Sequence, residues 1–584
     1  MSDNRRYKQY SPDHGAGDRE VGQHMEEEVH TPTTRDPDEP KSLFCAANMK
    51  VAQVNALIGT LNGYSIGFVG VYTTVYGYAS NCIVYKSKNA CETIPFAKCA
   101  WTSDATGDYC GWASQTCAKL HSTLEACAAD SACKWSYSSA ACQNPSGLTS
   151  TNSGIFAGAM IVGCFFGSFV GGPLSRLIGP KLVFLLVGIA GVICSVMYHI
   201  SVALDLFWVL CVFRLVIGVF LGVCCVAAPM YVAENAHPKY AKMIGVMFQV
   251  FTTFGIFLAA TMGLAMGQSI KYDAPSSQNL IGRLQGLCVL STLLSLLVMA
   301  MGIYLPGSLR QKRAQPTEPV GEDEQERELS TDEKTYSCVQ MIGPLLMGFI
   351  VAGTLQLTGI NAIMNYAPTI MQSLGLAPLV GNFVVMVWNF VTTIFSIPLA
   401  SVFTMRQLFL ACSLITSVMC LLMCGIPVFP GITHKTAAKN GVAITGLLIF
   451  IGAFEMGVGP CFYVLAQDLF PKNFRPTGAS ATNVMQFAFN VIINVCYPIA
   501  TEALSGGASG NQDKGQAIAF IFFGCIGLVC FVFQCLFLKP WDETHKVTAS
   551  APEVERHSEP DYARKEEKMA TQADIHAAVA KNRD

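Results

Sequence analysis

The sequence predicts an all-α polytopic membrane protein whose twelve transmembrane helices form two six-helix halves. Of its 584 residues, 52% are hydrophobic and only 13% are charged. Long apolar segments recur along the chain, and most are close to the ~20 residues that cross a bilayer as a helix. A soluble all-helical protein cannot bury so many such segments in a chain of this length. The predicted spans, one to twelve, are 50–74, 152–174, 181–202, 206–231, 242–267, 283–305, 340–371, 380–402, 407–429, 442–465, 478–499 and 516–538.

Both ends of the chain are predicted to lie on the cytoplasmic side. The tails, residues 1–49 and 540–584, are polar, and the first lacks the apolar core of a cleavable signal peptide. An even number of spans places both tails on the same side of the membrane. The short loops that hold Arg176, Lys239 and Arg406 fall on that side as well, and the positive-inside rule makes it cytoplasmic.

The middle of the chain turns polar and separates six spans from six. Residues 306–338 are predicted to form a cytoplasmic linker between an N-terminal bundle, 50–305, and a C-terminal bundle, 339–539. A solvated connector with no mechanical role explains the same composition equally well.

A short repeat supports the division into halves. The pattern P-K-x-x-(K/R)-x-x-G occurs at residues 238–245 and again at 471–478, after Glu234 and Asp468 respectively. Each copy follows the fourth span of its half, and repeated halves around a central site are typical of secondary transporters. The charges at the two junctions are therefore candidates for an inner gate. Ordinary juxtamembrane charge is the alternative for either copy alone.

Span eleven carries a stripe of amides. Asn483, Gln486, Asn490 and Asn494 are three, four and four residues apart, which places them on one face of a helix. Amides are costly in a bilayer unless a bundle or a wet cavity satisfies them. They donate and accept hydrogen bonds, as hydroxyls do, so the stripe predicts a site for an uncharged, sugar-sized substrate. A hydrogen bond between helices is the alternative for each amide.

Several longer motifs together resemble the sugar porter family of the major facilitator superfamily, over roughly residues 50–545. The resemblance implies the major facilitator fold, with twelve transmembrane helices in two six-helix halves and alternating access to a central sugar site. The motifs are Arg214-x-x-x-Gly218-x-x-x-Gly222, Pro229-Met230-Tyr231-x-x-Glu234, Gln356-Leu357-Thr358-Gly359-Ile360-Asn361 and the segment 468–478.

The resemblance also implies which residues line the sugar site. In the family's glucose carriers, polar groups from spans five, seven, eight, ten and eleven hold the sugar, and apolar or aromatic side chains form a wall. The matching polar residues are Gln249, Gln356, Asn361, Asn389, Glu455 and Gln486, with Asn490 one turn further on, and the matching wall residues are Phe454, Tyr463 and Phe487.

The gating motifs of the family are matched less completely by this chain. The loop after span two usually reads D-R-x-G-R-R, but here Ser175 and Arg176 begin a segment with fewer charges, so the inner charge network is predicted to be thinner than usual. Gly459 and Pro460 interrupt span ten, which fits either a hinge or a static kink. The gating candidates are Arg214, Glu234, Lys242, Tyr366, Arg406, Gly459, Pro460, Asp468 and Arg475.

Span one bears on the driving force. Proton-coupled members of the family carry an Asp in a G-Y-D-x-G pattern, where it interacts with the span-four arginine. Here Ser65 stands in that place while Arg214 remains. Because an ionisable group inside the membrane is the usual proton relay, the resemblance favours facilitative transport. A proton-coupled symporter and a non-transporting sugar sensor of the same fold are the alternatives.

Eight of the 24 cysteines fall in the long loop 77–151, on the predicted outside. A dense, even set in an oxidising compartment indicates a disulfide framework. Zinc binding is the competing interpretation, but no CxxC pair or histidine cluster accompanies it. Eight cysteines allow 105 pairings, so none is assigned. The candidates are Cys82, Cys91, Cys99, Cys110, Cys117, Cys127, Cys133 and Cys142.

This cysteine-rich loop resembles the first outer loop of the hexose transporters of kinetoplastid parasites. The resemblance implies a plasma-membrane carrier of D-glucose that often accepts D-fructose. The chain has no P-loop, metal-ligand spacing or nucleophile–base pair, so neither an enzyme, a cofactor nor a metal site is predicted. A net charge of −2 gives no reason to expect nucleic acid. The expected partners are a hexose and the lipid bilayer, and the sequence leaves the oligomeric state open.

Overall fold

A computed structural model shows a bundle of long helices with two small β-hairpins in the loop that precedes span two. Most of the predicted N-terminal tail and linker, and the whole C-terminal tail, lie outside the described residues, so the domain boundaries stay predictions. The structure describes residues 46–539 apart from 80–87, 93–98, 105–106, 113–121, 124, 127–133, 137–140, 144–149, 238, 268–279, 306–336, 365–377, 432–435 and 507–510.

Twelve helical segments among the described residues are long and apolar enough to cross a membrane, which confirms the predicted number of spans. A bilayer offers the backbone no hydrogen-bond partners, so each apolar segment satisfies its N–H and C=O groups within a helix. The first six spans are single helices: Ala46–Ala79, Ser150–Ile178, Pro180–Ala203, Phe207–Asn235, Ala241–Gly267 and Leu280–Tyr304.

The last six spans include helices made of more than one piece. We call the side where span one begins and span twelve ends the terminal face, and the opposite side, which carries the cysteine-rich loop, the loop face. The α-helices of spans seven to twelve are Ile342–Leu357, Pro378–Ile394 with Ser396–Val402, Met405–Met419, Thr436–Ala453 with Gly459–Asp468, Arg475–Ser505 and Gln512–Phe537.

Backbone-to-backbone contact between helices holds the first half together. Spans one and five, two and four, and three and six form its closest pairs. A Cβ atom added to Gly167 in span two would lie 1.9 Å from the Val219 carbonyl oxygen of span four, and one added to Gly63 would lie 1.8 Å from the Thr252 carbonyl oxygen of span five. Small residues allow such approach in membranes, so these glycines fix the distance between the helices.

Helix interruptions among the described spans fall in the second half. Span seven breaks at Gly359, whose φ is 89°, although the sequence predicted one continuous span over 340–371. Span nine turns π-helical over Cys420–Gly425, and span ten does so over Phe454–Val458. A π-helical turn widens the backbone and occurs often at functional sites, so the second half is the less regular of the two.

Spans two and eleven join the halves closely at the terminal face. A Cβ atom on Gly172 would lie 2.2 Å from the Pro476 carbonyl oxygen. The Gly172 N–H donates to Ser480 Oγ at 2.9 Å, and Arg176 Nη2 donates to the Asn473 carbonyl oxygen at 3.0 Å. The two halves are therefore in direct contact on this side.

Two antiparallel hairpins lie in the cysteine-rich loop: β1 (Cys99–Asp104) with β2 (Gly107–Trp112), and β3 (Lys134–Ser136) with β4 (Ala141–Gln143). In both hairpins the Trp of a Cys-x-Trp motif pairs with a later Cys, since Trp101 lies opposite Cys110 and Trp135 opposite Cys142. Cys91 and Cys110 form a disulfide with each other. Cys99 and Cys142 each take part in a disulfide as well. Four of the predicted cysteines lie outside the described residues: Cys82, Cys117, Cys127 and Cys133.

Candidate binding site

A buried carboxylate and its hydrogen-bond donors form one part of the candidate site. Glu455 lies in the π-helical segment of span ten and is 2% exposed. Its Oε2 accepts hydrogen bonds from Gln249 Nε2 at 3.1 Å and from Thr393 Oγ1 at 3.2 Å, and its Oε1 accepts one from Asn389 Nδ2 at 3.0 Å. These bonds satisfy a group that is costly to bury. They also link span five of the first half to spans eight and ten of the second.

A chain of amides forms the other part. Gln356 Nε2 donates to Gln486 Oε1 at 2.9 Å, and Asn361 donates to Gln356 Oε1. Gln486 Nε2 in turn lies 3.4 Å from Asn483 Oδ1. Every link is an amide, which can exchange its partner for a hydroxyl without losing a donor or an acceptor. The arrangement therefore suits a ligand that carries several hydroxyls.

The break in span seven brings two of these amides together. Residues five apart in an uninterrupted α-helix are rotated by about 140° from each other, so Gln356 and Asn361 would point in different directions. The left-handed conformation of Gly359 between them ends the first helical segment and re-aims the second. A Cβ atom there would lie 2.4 Å from the Phe523 ring, so space as well as conformation requires glycine.

The predicted wall residues Phe454, Tyr463 and Phe487 are all buried. The ring of Tyr463 packs edge-on against Phe248 of span five, with 4.6 Å between ring centroids. Phe454 stacks with Phe450, and Phe487 is buried. Aromatic faces of this kind pack well against the apolar face of a pyranose ring.

Asn490 is placed differently from the other amides of its stripe. Its Oδ1 accepts a hydrogen bond from Asn494 Nδ2 at 2.5 Å within span eleven. Asn483 also donates to its own helix, to the Ala479 carbonyl oxygen at 2.9 Å. The stripe therefore divides into residues that bond along their helix and Gln486, which reaches across to span seven.

Arg214 lies inside the first half and not at the terminal face. It is 1% exposed, and its guanidinium donates to the carbonyl oxygens of Phe156 at 3.2 Å and Ser65 at 3.3 Å. Its Cζ is 4.6 Å from the Phe156 ring centroid, which adds a cation–π contact. No carboxylate contacts it among the described residues. Carbonyl dipoles and aromatic rings stabilise its charge in place of a carboxylate.

The junction charges have separate surroundings. Arg406 Nη2 donates to the Cys535 carbonyl oxygen at 3.2 Å, at the end of span twelve, where a cation interacts favourably with the last carbonyls of a helix. Arg475 has a buried Nε without a hydrogen-bond partner, and Lys242 is exposed. Glu234 and Asp468 each interact with a neighbouring group. The individual ion pairs stay predictions, and Tyr366 lies outside the described residues.

The interruption of span ten lies beside the carboxylate cluster. Gly459 begins the helix that follows the π-helical segment, and Pro460 occupies an early position in it, where its missing N–H needs no partner. A Cβ atom on Gly459 would lie 3.2 Å from Gln249 Nε2. The glycine therefore makes room for the hydrogen bond between Gln249 and Glu455.

Two contacts of the structure were not predicted from the sequence. Thr393 donates to Glu455, and its position four residues after Asn389 in span eight was the available signal. The contact of Gly172 with Ser480 had no such signal, because 308 residues separate the two along the chain.

Comparisons with known proteins identify the family. The model of the family described as "Sugar (and other) transporter" matches residues 51–541. The chain is 48% identical to "Glucose transporter 2A" of Trypanosoma brucei brucei, over 89% of this chain and 93% of that protein. It is 46% identical to "Membrane transporter D2" of Leishmania donovani, over 88% and 94%. The predicted resemblance to kinetoplastid sugar carriers is confirmed, and these relatives are transporters and not enzymes.

Solved structures support the same fold. The chain is similar to the major facilitator superfamily proton:xylose symporter XylE bound to 6-bromo-6-deoxy-D-glucose, with a TM-score of 0.62 and 17% identity over 84% of this chain and 96% of that one. It is also similar to the human organic anion transporter MFSD10, with a TM-score of 0.50 and 12% identity over 83% and 99%. The predicted major facilitator fold is confirmed.

Proposed function

The chain belongs to the sugar (and other) transporter family, and from that premise we propose that it carries D-glucose, and also D-fructose, across the plasma membrane by facilitated diffusion. The observation that carries the proposal is the amide chain of Asn361, Gln356 and Gln486, which lies between spans seven and eleven. Relatives named as glucose transporters support glucose as the substrate.

Sugar binding exchanges hydrogen bonds between amides for hydrogen bonds between amides and sugar hydroxyls. A hydroxyl takes the place of an amide partner at Gln356 or Gln486, so few groups are left unsatisfied in either state. The ring of the sugar packs against Tyr463, Phe454 and Phe487. Carriers of this fold expose a central site to one side of the membrane at a time. With spans two and eleven in contact at the terminal face, the sugar reaches the site from the loop face.

The two faces are assigned to opposite sides of the membrane. Disulfides such as the one between Cys91 and Cys110 form and persist in oxidising compartments, which supports an extracellular loop face. The terminal face, with both chain ends, is then cytoplasmic. Opening this face requires the Gly172–Ser480 contact to separate, because it joins the two halves directly.

The surroundings of Arg214 support passive transport. A proton relay needs a group that gains and loses a proton during the cycle, whereas Arg214 is held by the carbonyls of Ser65 and Phe156. Glu455 is the carboxylate at the site, and its three donors come from Gln249, Asn389 and Thr393. These hydrogen bonds join spans five, eight and ten at the carboxylate.

The test is uptake of radiolabelled D-glucose by cells that lack their own hexose transporters and express this chain, with and without a protonophore. We expect the internal sugar to reach the external concentration and no more, at a rate that the protonophore leaves unchanged. Accumulation above the external level that collapses with the protonophore would instead establish a symporter and make Glu455 its candidate proton site. Surface expression without any sugar uptake would favour a sensor.

A further inference from the structure

Span one contains a buried amide that no described residue satisfies. Asn62 is 4% exposed, and it makes no hydrogen bond with any described residue. Its polar atoms are not fully covered by protein either, since they are not among the buried atoms that lack a partner. Asn55, two turns earlier, behaves differently because its Nδ2 donates to the Ile244 carbonyl oxygen at 2.9 Å. Asn62 therefore has unused hydrogen-bonding capacity, whereas Asn55 on the same helix is bonded through its Nδ2.

The helical period tells which way Asn62 faces. Ile66 is one turn further along span one, on the same face. Ile66 and Gly70 line a small cavity together with Met364 of span seven and Met386 of span eight. At this level the face of span one that carries Asn62 therefore borders spans seven and eight of the second half, together with Ile256 of span five.

Asn62 also lies at the depth of the candidate site. Asn62 lies one helical turn from the cavity residue Ile66, in the direction of the terminal face. Asn361 on span seven and Asn389 on span eight lie about one turn from the cavity residues Met364 and Met386, in the same direction. Asn389 Nδ2 lies 3.6 Å from Met364 Sδ, so these layers are adjacent. Three amides from three spans therefore border one level of the interior.

The first half offers few other polar groups at this level. Gln249 is bonded to Glu455, the Thr252 hydroxyl to the Phe248 carbonyl oxygen, and the Ser65 hydroxyl to the Leu61 carbonyl oxygen. A ligand shifts a conformational equilibrium only through contacts that differ between the states. A sugar held by the second half alone therefore gains nothing when the first half closes on it.

We propose that Asn62 is a sugar contact and specificity residue, which hydrogen-bonds one hydroxyl of the hexose from the side opposite the amide chain of the second half. This inference rests on the proposed function. Asn62 completes the site from the first half, so its hydrogen bond forms as the halves approach each other. It acts on the sugar directly and leaves the amide chain of Gln356 intact.

The test compares Asn62→Leu with the unaltered carrier across a set of sugars: D-glucose and its 1-, 2-, 3-, 4- and 6-deoxy analogues. Leucine has the same number and branching of side-chain heavy atoms as asparagine and removes the hydrogen bond. We expect the Km for D-glucose to rise about tenfold. The Km for the one analogue that lacks the partner hydroxyl should stay the same in the variant and the unaltered carrier. A purely structural role would raise all six Km values together.

The control is Asn55→Leu, which removes a buried amide on the same face of span one that is bonded to the backbone. We expect it to lower the amount of carrier at the surface and to raise no Km selectively. If Asn62→Leu does not reach the surface, Asn62→Cys is labelled from outside with an impermeant thiol reagent. D-glucose should then slow the labelling several-fold, and L-glucose should not.

The outcomes separate the two proposals. If the unaltered chain transports D-glucose and Asn62→Leu leaves every Km unchanged, or raises all of them equally, Asn62 is not a sugar contact while the proposed function stands. Labelling of Asn62→Cys that D-glucose does not slow would likewise exclude Asn62 as a sugar contact. Failure of the unaltered chain to transport any hexose would overturn the proposed function itself.

Discussion

The two halves of the protein share a helix count but are built by different means. In the first half, glycines such as Gly63, Gly167 and Gly222 bring helix backbones into contact, and each span is one continuous helix. In the second half, interruptions in spans seven, nine and ten open the backbone, and glycines such as Gly348 and Gly457 face side chains of their neighbours. The first half is suited to move as one body, and the second half to rearrange around a ligand.

The same difference is seen in how the halves treat buried polar groups. Arg214 in the first half is fixed by backbone carbonyls and aromatic rings. In the second half, Gln356, Asn361 and Gln486 bond to one another's side chains. A side-chain partner can be exchanged for a sugar hydroxyl, whereas a backbone carbonyl in a packed helix cannot move away. The comparison predicts that damage to the glycine contacts of the first half lowers the amount of folded protein, and that damage to the amides of the second half changes transport kinetics.

The largest effect is expected for Gly167→Ala. Its Cβ would lie 1.9 Å from the Val219 carbonyl oxygen, so spans two and four must separate. Overpacking of this kind costs about 1–3 kcal/mol or more, and we expect most of the protein to be lost from the surface. Quantitative surface labelling measures this. The matched control is Gly154→Ala in the same helix, where a Cβ meets nothing within 4 Å and surface labelling should stay normal.

The next largest effect is expected for Glu455→Gln. Glu455 accepts hydrogen bonds from Gln249, Asn389 and Thr393, and a glutamine amide replaces one acceptor oxygen by a donor that faces another donor. Hydrogen bonds to charged groups are worth about 1.5–3 kcal/mol, so we expect D-glucose uptake per surface molecule to fall ten- to hundredfold. Glu502→Gln, at an exposed position of span eleven, is the control. Equal uptake in both variants would remove Glu455 from the site.

A smaller effect is expected for Thr393→Val, which keeps the shape of the side chain and removes one of the three donors to Glu455. The loss of one hydrogen bond, about 1 kcal/mol, predicts a several-fold fall in uptake with normal surface amounts. Thr392→Val is the neighbouring control, because the Thr392 hydroxyl bonds only to backbone carbonyls of its own helix. A larger defect in the control than in Thr393→Val would contradict the role given to Thr393.

The features that could be predicted from the sequence are those encoded by residues close together along the chain. Span number and the broken span ten follow from apolar length and from Gly459 and Pro460, because both are encoded in neighbouring residues. The site residues were transferred by motif, and the sequence had no means of showing that Gly359 turns Asn361 toward Gln356. Asn62 was overlooked although Asn48, Asn55 and Asn62 repeat every seven residues. Only the packing distinguishes a paired amide from an unpaired one.

The central claim is that the exchangeable amides of the second half bind the sugar. The most direct measurement is the Km for D-glucose uptake of Gln356→Ala beside that of Asn55→Ala, with surface amounts quantified for both. Gln356 bonds to side chains of the candidate site, whereas Asn55 bonds to the Ile244 carbonyl oxygen of the first half. We predict a Km about tenfold higher for Gln356→Ala and an unchanged Km with fewer surface molecules for Asn55→Ala. An unchanged Km in Gln356→Ala, or the same rise in both variants, would contradict the account.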